Sequence, residues 1–230
     1  QAAADLAEIV KEAIARSGQA RIILATGNSQ MTFMAALRER RDIAWGQVEV
    51  FHMDEYLGMA DTHPASFRRY IREKLTDHVH PRAFHGMRGD ASDAQAEARR
   101  YTEMLRAQPL DAVVMGIGEN GHLAFNDPPA DFATPETVHI VNLDEACRRQ
   151  QLGEGWFPTL DDVPRQAISL TVPALLSPRR LLVVVPERRK AQAVKAALEG
   201  PVTPACPASI LQEQAHATLY LDAEAASLLA

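Results

Sequence analysis

The amino-acid sequence predicts an α/β fold, a doubly wound and mostly parallel sheet with helices on both faces. Short apolar runs such as Ile22-Ile-Leu-Ala25, Ala112-Val-Val-Met115 and Leu181-Leu-Val-Val-Val185 read as strands buried on both sides. Amphipathic helical stretches alternate with such runs from end to end, as βα units require. No internal repeat interrupts that alternation, so residues 1–230 are expected to form one domain.

In chain order, Leu6, Ile9, Val10, Ala13 and Ile14 recur at helical spacing over residues 2–16, and Gly18 is the stop. Because Gln1 already lies inside this pattern, a truncated N-terminus is expected. Arg21 to Ala25 is a buried strand that runs into Thr26-Gly27-Asn28-Ser29, then into a helix with Met31, Met34, Ala35 and Leu37. Strand, glycine-containing loop and helix together offer free backbone N–H groups to an anion. One glycine with no lysine after it is no P-loop, however, and a plain strand-turn-helix unit explains the stretch equally well. Val48 to Met53 alternates as a strand and delivers Asp54-Glu55-Tyr56, two adjacent carboxylates that suit either a helix-capping turn or a general base. Pro64 is expected in the first turn of the next helix, with Phe67, Tyr70, Ile71 and Leu75 inward. Ser92-Asp-Ala-Gln95 reads as a capping box for a helix through Ala107.

The stretch from Asp111 to Pro128 begins as a buried strand, breaks at Gly116 and Gly118, and sets Glu119, Asn120, His122, Asn126 and Asp127 within nine residues. Ligands of open parallel sheets bind beyond the carboxyl ends of the strands, so polar groups clustered there are placed to converge on one. Thr137 to Leu143 alternates as a strand. Asp144 to Pro164, with Arg148, Arg149 and Trp156, reads as a long connection of little periodicity, either a lid or binding segment or plain mobile surface. Strands follow over 163–172 and 180–185, then a helix over 187–199 that Gly200-Pro201 ends. Its first turn carries Arg188, Arg189 and Lys190, where the helix dipole disfavours cations and an anion nearby would offset the cost. Ala217 to Leu221 closes the sheet and Asp222 is expected to cap a short last helix.

Composition narrows the functional classes. A net charge of −6 without a long Lys/Arg run speaks against a nucleic-acid partner, while a few local cations suffice for an anionic small molecule. Cys147 and Cys206 are too few for a disulfide framework or a cysteine zinc site, which points to a reducing cytoplasm. No apolar run approaches the roughly 18 residues of a membrane span, and no signal-peptide pattern is visible.

Three motifs carry a resemblance to the glucosamine-6-phosphate deaminase family, which shares its Rossmann-like fold with the 6-phosphogluconolactonases. Ala25-Thr-Gly-Asn-Ser29 is similar to the family's Thr-Gly phosphate loop, Phe51-His-Met-Asp-Glu-Tyr-Leu-Gly58 to its Met-Asp-Glu-Tyr motif, and Gly116-Ile-Gly-Glu-Asn-Gly-His-Leu-Ala-Phe-Asn-Asp-Pro128 to its glycine-histidine signature. The resemblance implies that Asp54 is the general base between C2 and C1 of an opened sugar. It implies that His122 helps to open the ring, supported from the positions of Asn120 and Asp127. It also implies that Thr26, Gly27, Asn28 and Ser29 hold a phosphate together with Lys190 and Arg148, Arg149 being the second choice for the arginine. No metal or organic cofactor is called for, the partner is a small-molecule sugar phosphate, and a homo-oligomer is left open. His52, Glu55, His63 and His85 are expected in structural or supporting roles. The chain departs from the family in two places: Asn120 stands where many members have aspartate, and Asp127 is one methylene shorter than the usual glutamate. Two other readings compete. A lactonase on the same fold would resemble Asp-Glu-Arg and Gly-His-Thr-Ala-Ser where this chain has Asp54-Glu55-Tyr56 and His122-Leu-Ala-Phe-Asn126. A non-catalytic sugar-phosphate sensor would lose the base and carry a DNA-binding segment, whereas Asp54 and His122 are both present and no such segment is visible.

Overall fold

The computed structural model describes residues 1–230, apart from the side chain of Ala146. Its strands are β1 (Ala20–Leu24), β2 (Val48–His52), β3 (Asp54–Tyr56), β4 (Ala83–His85), β5 (Ala112–Met115), β6 (Val138–Asn142), β7 (Gln166–Leu170), β8 (Arg180–Val185) and β9 (Ala217–Leu221). Six of them form a sheet in the order β4-β2-β1-β5-β8-β9, parallel throughout. The helices are α1 (Ala2–Ser17), α2 (Met31–Arg38), α3 (Phe67–Ile71), α4 (Asp77–Val79), α5 (Ala94–Arg106), α6 (Glu145–Gly153), α7 (Val172–Leu176) and α8 (Ala191–Glu199). The α/β sheet with helices on both faces is the architecture expected from the sequence.

Alternation along each strand sends side chains to two cores. Ile22, Leu24, Val48, Val50, Ala112, Val114 and Leu182 face Leu6 and Val10 of α1 and Phe33, Met34 and Leu37 of α2. Ile23, Phe51, Val113, Met115, Leu181 and Val183 face Tyr101 and Leu105 of α5 and Val194 and Ala197 of α8. Both faces are covered, so the strand sequences are apolar without a break.

A second, antiparallel sheet in the order β3-β7-β6 takes the strands read over 137–143 and 163–172. Period-two patterning marks a strand but not its partner, and the sequence held no sign that these segments leave the main sheet. Beneath this small sheet Tyr56, Phe125, Leu143, Cys147, Phe157 and Ala167 form a third core. The stretch 144–164, expected to be an irregular connection, contains α6, capped by Asp144 whose carboxylate accepts the Cys147 N–H at 2.8 Å.

Other local differences follow from capping chemistry. Pro64 precedes α3 by a turn, and Ser66 is its cap, accepting from Arg69 N–H. Asp93, not a Ser92–Gln95 box, caps α5 through Ala96 N–H at 2.9 Å. The helix expected from Glu187 begins as a 3₁₀ turn over Arg188–Lys190 before α8. Asp222 caps a turn at Ala225 N–H, with no regular helix after it. Among the described residues no helix is long and apolar enough to cross a membrane.

The carboxyl end of β2 is tied down by Tyr101. Its buried hydroxyl accepts the His52 N–H at 3.0 Å and lies 2.9 Å from the carbonyl oxygens of His52 and His85. Tyr101→Phe leaves that buried N–H without its acceptor and should cost about 1–3 kcal/mol in a denaturant titration.

Candidate active site

The strand order reverses at β1: β2 lies on one side of it and β5 on the other. At such a switch point the loops after neighbouring strands diverge and leave a crevice. The pocket found there is lined by Thr26, Gly27, Ser29 and Gln30 after β1, Asp54 after β2, Gly116, Gly118 and His122 after β5, Gln150, Gln151, Glu154 and Trp156 at the end of α6, and Lys190 before α8. Gly27 has φ 98° and ψ 164°, a backbone conformation open to glycine, so the loop can turn its amides toward the crevice. Asn28 turns away, its side-chain amide donating to the Glu154 carbonyl at 3.1 Å.

The two adjacent carboxylates part company because a strand alternates its side chains. Glu55 is wholly buried and accepts from Ser66 Oγ at 2.8 Å and from the N–H groups of Tyr56, Phe67 and Arg68 at 3.0, 3.1 and 3.0 Å. It thereby serves the open amides at the start of α3. Burial still raises its pKa, against these hydrogen bonds. Asp54 faces the pocket with only 7% of its surface exposed, and its Oδ1 has no partner among the described residues. Burial first, and then the Glu55 charge, push its carboxyl up to about 8. The structure separates the two carboxylates: Glu55 serves the amides at the start of α3, and Asp54 lies on the pocket wall.

The β5 loop folds back on itself, with Gly118 N–H on the His122 carbonyl at 2.9 Å and His122 N–H on Asn120 Oδ1 at 3.0 Å. A Cβ on Gly118 would stand 2.3 Å from the His122 ring, so any side chain there would displace the imidazole. Asp127 Oδ1 lies 3.1 Å from His122 Nδ1, at hydrogen-bond distance although the ring N–H is not yet aligned with the oxygen. The same oxygen accepts Asn120 Nδ2 at 2.9 Å. Burial works against the charge, but the His122 imidazole beside it, then the Asn120 hydrogen bond, hold Asp127 down at about 2. An ionised Asp127 facing Nδ1 favours the tautomer with its proton there, which leaves Nε2 for the pocket. Asn120, His122 and Asp127 are thus brought together, with Asn120 and Asp127 behind the imidazole.

Lys190 lies 5% exposed on the pocket wall; its backbone N–H donates to the Glu187 carbonyl at 3.0 Å, while its ammonium has no hydrogen bond or ion pair within 4 Å among the described residues. Burial, then the neighbouring Arg189, lower its pKa. A buried ammonium without a counter-ion is costly and suits a site that takes an anion. Arg148, expected beside it, is elsewhere. Its Nε donates to the Val163 carbonyl at 3.1 Å and its Nη2 to that of Leu160, so it closes the loop behind α6. Arg149 pairs with Glu145 on the surface. From α6 the pocket receives Gln150, Gln151 and Glu154 in their place, with the Tyr56 hydroxyl donating to Gln151 Oε1 at 2.6 Å. These residues and Gln30 were not anticipated. The available signals were the Asp144 cap and the Gly153-Glu-Gly155 stop that bound a short helix.

A family model described as glucosamine-6-phosphate isomerases/6-phosphogluconolactonase matches residues 1–220. A glucosamine-6-phosphate deaminase of Exiguobacterium sibiricum is 35% identical over 223 residues, 96% of this chain and 86% of its own length. One from Bacillus cytotoxicus is 33% identical over 221 residues, 96% of this chain and 82% of its own. Among solved structures, a monomeric glucosamine-6-phosphate deaminase superposes with a TM-score of 0.89 at 31% identity, covering 99% of this chain and 93% of that one. A 6-phosphogluconolactonase of Shewanella baltica, with a TM-score of 0.75 at 24% identity over 95% of this chain and 89% of that one, shares the fold.

The Asp54 environment has a consequence for stability. An unfolded chain ionises this carboxyl near its ordinary 3.8, whereas the folded chain holds the proton up to about 8. Between those values the native state binds the extra proton, so on this group's account stability falls as pH rises. Asp54→Asn removes the cost, and its melting temperature should exceed that of the wild type by a margin that grows from pH 5 to pH 8. Each ~1 kcal/mol gained is worth roughly 2–4 °C in a chain of this size, which differential scanning fluorimetry reads.

Proposed function

The chain is an enzyme of the glucosamine-6-phosphate isomerase/6-phosphogluconolactonase family, and from that premise we propose that it converts a 2-amino-2-deoxyhexose 6-phosphate, glucosamine 6-phosphate in the first instance, to fructose 6-phosphate and ammonia. The observation that carries this reading is the convergence on one pocket of a buried carboxyl, an imidazole backed by a carboxylate, and an unpaired buried ammonium, namely Asp54, His122 and Lys190.

In the proposed scheme the phosphate sits on the Thr26–Ser29 amides and Lys190, a remote handle whose binding energy holds the sugar carbons against Asp54. His122 moves a proton between the ring oxygen and the anomeric hydroxyl, which opens the pyranose to an aldehyde at C1. Asp54, ionised, takes the proton from C2 and returns it to C1. As C1 is protonated the C2 amine becomes an imine, and the proton it loses balances the one O1 gains to become a hydroxyl; water then adds at C2 to release ammonia and leave the ketone. Asp127 keeps His122 in one tautomer through the cycle, and Asn120 holds Asp127. No step requires a metal or an organic cofactor.

Asp54 works as a base only when ionised, so kcat/KM should fall on the acid side with an apparent pKa near 8. Purified protein with glucosamine 6-phosphate should release ammonia and fructose 6-phosphate in equal amounts, with 6-phosphogluconolactone hydrolysis run beside it. Asp54→Asn should lower kcat by roughly 10²–10⁴-fold while substrate still binds. Turnover at the wild-type rate in that variant, or lactone hydrolysis in place of ammonia release, overturns the proposal. Lys190→Ala should chiefly raise KM.

A further inference from the structure

One cation bonded to a pocket-lining carboxylate has no part in the scheme above. Arg189, beside Lys190, places Nη1 3.1 Å from Glu119 Oε1 and 3.0 Å from Glu154 Oε1, and its Nε donates to Glu187. These carboxylates come from three elements: the β5 loop, the end of α6, and the turn before α8. Glu154 is the critical one. It lines the pocket, its side chain is 13% exposed, and its Oε2 is buried without a partner among the described residues. Its charge reaches Lys190, as do those of Glu119 and Glu187.

An anion drawn to Lys190 therefore approaches a wall that also holds negative charge. Like charges this close in a half-buried site are little screened by solvent. Arg189 is the one guanidinium among the described residues that bonds both Glu119 and Glu154. Resting on the reading of Lys190 as part of a phosphate site, we propose that Arg189 is a positioning residue that neutralises Glu119 and Glu154 and so admits a phosphate dianion beside Lys190. Arg189 need not touch the phosphate. It acts by holding Glu154 and Glu119 in ion pairs and turning their charge away from the ligand.

Calorimetric titration with inorganic phosphate and steady-state turnover of glucosamine 6-phosphate test this together. Arg189→Gln should raise the phosphate Kd and the KM by roughly tenfold or more, about 1.4 kcal/mol per decade, with kcat within about twofold of the wild type. Glu154→Gln added to Arg189→Gln should restore most of the lost affinity, because the more buried of the two charges is gone and that of Glu119, whose side chain is 41% exposed, is screened by solvent. Arg188→Gln changes net charge equally but removes only the exposed pair with Glu224, and should leave both readings unchanged. Full phosphate affinity in Arg189→Gln overturns the inference while leaving the phosphate site standing. So does a loss that Glu154→Gln fails to repair, which would make Arg189 a direct ligand. A wild type that binds neither phosphate nor the sugar phosphate overturns the phosphate site and this inference together.

Discussion

The constraint on which the site depends is the burial of two adjacent carboxylates where β2 gives way to β3. Two such groups cannot both sit ionised in a dry environment without a large cost. The chain meets this by giving them opposite surroundings. Glu55 receives a hydroxyl and three amides, and so becomes part of the start of α3. Asp54 receives no such support and instead keeps a proton well above the ordinary carboxyl range. The same strand that turns Glu55 to the start of α3 turns Asp54 to the pocket, because successive residues of β3 point to opposite sides. Tyr101 secures the preceding turn by bonding the last residue of β2, so the position of Asp54 is set from both ends.

A second pairing works with opposite sign across the pocket. Among the described residues Lys190 is buried without an ion pair, while Asp127, behind the His122 imidazole, is a carboxylate kept ionised by its neighbours. The crevice thus carries a free cation on its wall and, at His122, an imidazole backed by a carboxylate. The glycines of the β5 loop serve this geometry in a direct steric sense: the imidazole of His122 occupies the space where a side chain on Gly118 would be.

Much of this was legible in the chain itself. The apolar runs of β1, β5 and β8 announce a sheet covered on both faces, and the polar clusters directly after them announce its working edge. Other features were not legible for identifiable reasons. Helix α6 carries Arg148, Arg149, Gln150 and Gln151 in sequence, with little apolar periodicity to betray it, because it packs on a small satellite core. Arg148 looks from the sequence like any other cation near a binding loop. Only its carbonyl partners at Leu160 and Val163 reveal a guanidinium used to close a loop. Likewise, Arg188, Arg189 and Lys190 are three equal charges in the sequence. In space one faces Glu224, one is held by three carboxylates, and one is buried in the pocket wall.

Local chemistry determined what the sequence could decide alone: where strands and helices run, where glycine must relieve the backbone, and which titratable groups cluster beyond strand ends. Those properties depend on periodicity and on neighbours a few residues apart. Tertiary structure decided which of two adjacent carboxylates is spent on a helix and which is left to a pocket. It decided that β3, β6 and β7 leave the main sheet, and which cation of a charged run meets a carboxylate. Each of those outcomes rests on burial and on partners distant in the chain, such as Glu154 for Arg189 and Tyr101 for His52, and burial is a property that no single stretch of sequence contains.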